Sequence, residues 1–245
     1  MLFRSQMRSV RSASADRTLR IWAIDGGGSS IMLQTHGALS AAAVAPGGRL
    51  LASSDGESTV QLWRLAAPAE VPGGAFWRVL RGLRGRPRLI VFAPRGNAVA
   101  VSSDDGAVRL WRLERLEGDS AEPDLALAFA EGRARSLAFS ADGSLLAAGG
   151  DGGLVQVWRT ANGAQTESLP GAGKATTSLA FAADGRTLFA GDAGGGLRVW
   201  RLGESRRRPR AALLAHAGSV DHLACGPGGR LVSGSSDGTV RVWRI

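Results

Sequence analysis

The chain has 245 residues, a formal net charge of +9, 35 glycines and one cysteine. A single cysteine excludes an intrachain disulfide framework and a multi-cysteine zinc site, and no run approaches the roughly 18 apolar residues of a membrane span or the apolar core of a secretory signal. With 44% hydrophobic residues, the glycine excess reads as many tight turns between short strands rather than as a disordered chain.

The N-terminal stretch MLFRSQMRSVRSASADR is rich in Arg and Ser and free of acid until Asp16, the composition of a transit peptide. A repeat that runs through the chain assigns these residues to strands instead. Six of the seven tryptophans end nearly identical segments: TLRIWAI (Trp22), TVQLWRL (Trp63), AVRLWRL (Trp111), LVQVWRT (Trp158), GLRVWRL (Trp200) and TVRVWRI (Trp243). Their near-regular recurrence marks a chain built from repeated structural units. Apolar and polar residues alternate in each segment, as in a strand packed between neighbours. A turn glycine precedes the tryptophan at one constant offset in four repeats: Gly48 before Trp63, Gly96 before Trp111, Gly143 before Trp158 and Gly185 before Trp200. In the last repeat Gly229 stands one position nearer to Trp243. This predicts a tight β-turn between two strands in each repeat. Four positions before that glycine lies a core-facing slot, filled by Val44, Phe92, Phe139 and Phe181, and by Cys225 in the last repeat. Cys225 is accordingly expected to be a small buried thiol.

These residues resemble the WD-repeat family, whose units of about 40 to 45 residues carry four strands each. The resemblance implies one all-β domain over 1–245, a β-propeller of about six four-stranded antiparallel blades with repeats ending near 24, 65, 113, 160, 202 and 245. The Asp that follows the tryptophan in the family is Arg in five repeats and Ala23 in the first. Phe3 stands at the same offset before Trp22 as Phe92 does before Trp111, so the chain is expected to start partway through a repeat, with a truncated N-terminal blade, a missing closing strand and a ring that is not fully closed.

The family also implies a hydrogen-bonded relay of Trp, Ser or Thr, His and a turn Asp inside a blade. His36, Ser53, Asp55 and Trp63 match it in the second repeat, and His216, Ser235, Asp237 and Trp243 in the last. The third repeat keeps Ser103, Asp105 and Trp111 but has Arg84 at the His position. Groups that recur once per structural unit are expected to brace it. His222, outside the pattern, is expected in the core or lining the channel.

Partners of such proteins commonly dock on the loops before each inner strand. Those loops supply Arg84, Arg86, Arg88, Arg133, Arg135 and Lys174, a basic sector suited to an acidic or phosphorylated segment. The competing reading has these arginines replace the missing histidines by pairing with turn aspartates such as Asp105 and Asp151. On the opposite face GESRRRPR carries Arg206, Arg207, Arg208 and Arg210 as a solvated loop, and Trp77 is placed on an outer strand.

The resemblance therefore implies a non-enzymatic scaffold that docks partner proteins, with no cofactor or metal, and no cluster of unassigned His, Asp and Glu argues for a catalytic centre. Charge alone raises an alternative, binding of nucleic acid or another polyanion. It is weakened because Lys174 is the only lysine among 30 basic residues and no exposed aromatics are interleaved for base stacking. No membrane partner is expected, and a cytoplasmic location follows from the absence of a signal peptide or span.

Overall fold

The computed structural model describes residues 9–13, 18–23, 30–34, 39–54, 56–65, 74–130, 132–204, 209–226 and 228–245. In chain order the strands are β1 (Ser9–Ala13), β2 (Thr18–Ala23), β3 (Ser30–Gln34), β4 (Ala42–Val44), β5 (Leu50–Ser54), β6 (Val60–Leu65), β7 (Gly74–Leu80) and β8 (Pro87–Phe92). They continue as β9 (Ala98–Ser103), β10 (Ala107–Arg112), β11 (Ser120–Ala121), β12 (Leu125–Ala128), β13 (Ala134–Phe139), β14 (Leu145–Gly150), β15 (Val155–Arg159) and β16 (Gln165–Leu169). The last are β17 (Thr176–Phe181), β18 (Thr187–Asp192), β19 (Gly196–Arg201), β20 (Ala211–Leu214), β21 (Val220–Gly226), β22 (Arg230–Ser235) and β23 (Val240–Arg244). One 3-10 turn, Leu113–Arg115, is the only helical element among the described residues.

Each of the first five sheets is an antiparallel meander whose outer strand comes from the following repeat, the strand sharing of propeller blades. The sheet orders are β1-β2-β3, β4-β5-β6-β7 with β11 added, β8-β9-β10-β12, β13-β14-β15-β16, β17-β18-β19-β20 and β21-β22-β23. The first and last sheets thus hold three described strands. The fifth strand of the second sheet, β11, pairs parallel with β7 through Ser120 and Ala121, a link between repeats that no periodic pattern announces.

The turn glycines do what their position demands. Gly96 and Gly143 have φ of 69° and 76°, a left-handed conformation that side chains with a Cβ resist. Between consecutive sheets, the tryptophan of one blade packs on the strand that carried the tryptophan of the blade before. Trp111 shares a cluster with Val60 and Leu62 of β6, Trp158 with Val108 and Leu110 of β10, and Trp200 with Val155 and Val157 of β15. Trp243 packs on Leu197 of β19 and on Phe189. Alternation along the tryptophan strand therefore serves two interfaces, one on each face. The slot before the turn is filled as expected: Phe92, Phe139, Phe181 and Cys225 all reach these clusters.

Candidate docking face

The loops that precede the inner strands bring the basic residues of the third and fourth blades together. Both inner strands open with a one-residue bulge, between Pro87 and Leu89 in β8 and between Ala134 and Ser136 in β13. A bulge re-aims the extra side chain, and here the extra residues are Arg88 and Arg135. Arg88 grips Asp104 with both arms of its guanidinium, Nε donating to Oδ1 at 2.7 Å and Nη2 to Oδ2 at 3.0 Å. Arg133, from the next blade, places Nε 3.6 Å from the same Oδ1. Arg135 pairs with Asp151.

The carboxylates feel this surplus of positive charge. The hydrogen bond from Arg88, with the fields of Arg88, Arg133 and Arg86, outweighs desolvation and holds Asp104 below the usual carboxylate range. Asp151 is lowered chiefly by its bond to Arg135. Among the described residues Arg86, Arg88, Arg133 and Arg135 thus face two carboxylates, Asp104 and Asp151, and the side chains of Arg88, Arg133 and Arg135 remain 48%, 57% and 58% exposed. Arg84, Arg86 and Lys174 are exposed, and none forms an ion pair among the described residues. Lys174 lies before β17, one blade beyond Arg133 and Arg135, its stem close to Gly194. The structure thus pairs a loop arginine with Asp151 as that reading has it, but uses Asp104 in place of Asp105, which Arg109 holds, and still leaves those arginines reachable.

The bracing inside the blades differs from expectation in two respects. In the last repeat His216 is buried, with Nε2 2.7 Å from Ser233 Oγ, and Trp243 Nε1 donates to that oxygen at 2.9 Å. The other ring nitrogen, Nδ1, lies 3.2 Å from Asp237 Oδ2 and 3.0 Å from Thr239 Oγ1. The serine of this relay is therefore Ser233 and not Ser235, whose hydroxyl instead accepts the N–H of Asp237 in the turn. Strand register explains the difference. Leu231 lies opposite Trp243, and Ser233, two residues on, shares its face and meets the indole within the sheet. Ser53 occupies the same register, two residues beyond the partner of Trp63, and accepts from Trp63 Nε1 at 2.8 Å. His36 and Asp55 lie outside the described residues.

In the third blade the histidine is replaced from an unexpected place. Arg84 is not the substitute. Arg109, two residues before Trp111, turns its buried guanidinium onto Asp105 Oδ2 at 2.6 Å and donates to Ser103 Oγ at 3.2 Å. Burial works to raise the Asp105 carboxyl, and the hydrogen bonds from Arg109 and Ser103 overcome it, holding the group at about 2. The fifth blade repeats the device: Arg198 Nη1 donates to the buried Asp192 at 2.7 Å. In the fourth, Gln156 accepts from the N–H of Ala130 at 2.7 Å and donates to Gln165 at 2.9 Å. The signal was in the sequence, where Gln61, Arg109, Gln156 and Arg198 each stand two residues before a tryptophan on a strand buried from both sides.

Other candidates resolve as packing or surface. Trp77 lies on β7 under Arg64, whose guanidinium carbon is 4.5 Å from the ring centroid. Half-burial, then the field of Asp184, pushes the Cys225 thiol up to about 11, away from the thiolate form that reacts. His222 is exposed on β21, not in the core. Arg206, Arg207 and Arg208 lie outside the described residues, and Arg210 pairs with Glu204 at 2.8 Å. Among the described residues no group of three His, Cys, Asp or Glu could hold a metal, and no helix is long and apolar enough to cross a membrane.

Comparison with known families agrees with this layout. The family described as WD domain, G-beta repeat, matches residues 28–64, 88–112, 130–159, 163–201 and 207–244, more than half of the chain. No curated protein matches it significantly.

Proposed function

The chain belongs to the WD-repeat family, whose repeats generally serve as scaffolds for protein–protein interaction, and from that premise we propose that it docks acidic protein segments on the loop face of its third and fourth blades. The observation that carries the proposal is the imbalance of charge at that face. Among the described residues Arg88 and Arg133 share Asp104, Arg135 holds Asp151 and Arg86 is without an ion pair, so an incoming carboxylate finds guanidinium groups that are oriented but outnumber their carboxylates. Prior orientation by Asp104 and Asp151 lowers the entropy that long side chains lose on binding. Planar, bidentate donors suit carboxylates best. Lys174 extends the same polarity toward the fifth blade.

A fluorescein-labelled peptide of alternating glutamate and glycine tests the reading by anisotropy. Binding should weaken about tenfold or more in Arg133→Glu/Arg135→Glu, the equivalent of about 1.4 kcal/mol, with the circular dichroism spectrum unchanged. Equal affinity of wild type and variant would remove this face from consideration. A steep salt-dependent gel shift with single-stranded oligonucleotides, abolished by the same variant, would assign the face to nucleic acid instead.

A further inference from the structure

The chain itself carries an acidic segment of the kind proposed above for the loop face. Between β10 and β12 it inserts LERLEGDSAEPD, residues 113–124, where the matching strands β15 and β16 are joined by residues 160–164 alone. The insertion is fixed to the second blade. Leu113 and Leu116 are buried in the cluster around Trp111, and Ser120 and Ala121 form β11 on β7. Val79 N–H donates to the Asp119 carbonyl at 3.0 Å, Arg81 N–H to the Ala121 carbonyl at 2.9 Å and Trp111 Nε1 to that same carbonyl at 3.2 Å. Inserted loops positioned by a rigid scaffold are where binding residues concentrate.

The outward groups of the insertion are carboxylates. Glu114, Glu117, Asp119 and Glu122 are exposed and form no ion pair among the described residues, while Asp124 is taken by Arg112 and Arg115. In a chain of net charge +9, these acids face a reciprocal set on the loops. Arg84, Arg86 and Lys174 are exposed without an ion pair among the described residues, and Arg88 and Arg133 share one carboxylate. The two sets are neighbours in the fold, because the space that a Cβ would take at Gly82 is filled by Glu122 Oε2 and Pro123, and Gly82 belongs to the loop that carries Arg84 and Arg86. Within one copy the anchored backbone holds the acids beside these arginines without pairing them. Adjacent surfaces of opposite sign are self-complementary under a two-fold axis, where each contact is made twice.

We infer that the loop face is occupied by a second copy of this chain, the insertion 113–124 of each copy seated on Arg84, Arg86, Arg88, Arg133 and Arg135 of the other. This rests on the reading of the loop face as a site for acidic segments and names the segment. The insertion is already ordered, so its backbone loses little entropy on docking. The net charge of the two copies opposes association, but a Debye length of about 8 Å at 0.15 M salt screens remote charges and spares close pairs. Each exposed pair contributes little, so the dimer is weak and reversible.

Sedimentation equilibrium of the full chain, across the micromolar range at physiological salt, provides the test. Wild type should show a monomer–dimer equilibrium. Glu117→Lys/Asp119→Lys and Arg133→Glu/Arg135→Glu should each weaken it about tenfold or more. An equimolar mixture of the two variants should restore it, because each insertion then meets a face of opposite sign, a result that loss of folding cannot produce. A wild type that stays monomeric while the glutamate–glycine peptide still binds would overturn the inference and leave the loop face to other acidic partners. Failure of both peptide and dimer would remove the loop face as well. A dimer that survives Glu117→Lys/Asp119→Lys would overturn the inference, since another surface would then join the copies. So would a monomer that binds a lysine–glycine peptide through Glu117 and Asp119, which would give the insertion a basic partner instead.

Discussion

Trp200 and Trp243 occupy the same position in neighbouring blades and meet different surroundings. Trp243 Nε1 donates to Ser233, while the buried Nε1 of Trp200 has no hydrogen-bond partner among the described residues. The cause is one residue. Ala190 stands opposite Arg198 as Ser233 stands opposite Arg241, so the hydroxyl that would accept the indole proton is absent. A buried donor without an acceptor costs about 1–3 kcal/mol, and a restored hydrogen bond contributes about 0.5–1.5 kcal/mol. Ala190→Ser should therefore raise the urea midpoint by a margin of about 0.5–1.5 kcal/mol at unchanged m-value. A midpoint that falls would show that the added hydroxyl fails to reach the indole.

At the level of strands, close approach between blades sets what the middle strand can carry. A Cβ at Gly191 of β18 would lie 2.5 Å from Val220 Cγ1 and 2.6 Å from Ser178 Oγ, and one at Gly149 of β14 would lie 2.5 Å from Thr176 Cγ2. The inner strand of the following blade occupies the space. Gly191→Ala should accordingly destabilise by about 1–3 kcal/mol through overpacking, read as a lower thermal midpoint, and a neutral result would mean that β21 can draw back. This requirement was invisible in the sequence because it arises between repeats. The tryptophan strands and turn glycines were legible for the opposite reason, since the alternation around Trp111 and the positive φ at Gly96 are each set within one repeat and recur with it. The relay was partly legible. GESTVQLW in the second repeat has two residues more than GTVRVW in the last, so counting from the turn aspartate led to Ser235, whereas strand pairing selects Ser233. Arg109 looked like an ordinary polar member of an alternating strand, and only burial on both faces forces it to find Asp105. The loop arginines were legible as a basic sector because they precede the inner strands, but their sharing of Asp104 between two blades depends on contacts that sequence spacing does not encode.

For the whole molecule, a series of sheets in which Trp111, Trp158, Trp200 and Trp243 each pack on the sheet before behaves as a chain of nearest-neighbour contacts. Among the described residues a sheet in the middle is held on both faces, and the sixth on one: Val155 and Val157 of β15 are fully buried, while Val240 and Val242 of β23 are exposed. Burial of a valine side chain contributes about 1.5–3 kcal/mol, so the two exposed valines leave the sixth sheet short of stabilisation that the fourth enjoys. Local opening should follow this order. Hydrogen exchange is expected to be slowest in β14, β15 and β18 and fastest in β22 and β23, and Trp158→Ala, which costs about 3–5 kcal/mol at a buried position, should accelerate exchange on both sides of the interface with β10. Trp243 is only half-buried, so Trp243→Ala should raise exchange in β22 and β23 while leaving β14 and β15 protected. Uniform exchange across all the sheets would contradict this, because it would require the sixth sheet to be supported as fully as the fourth.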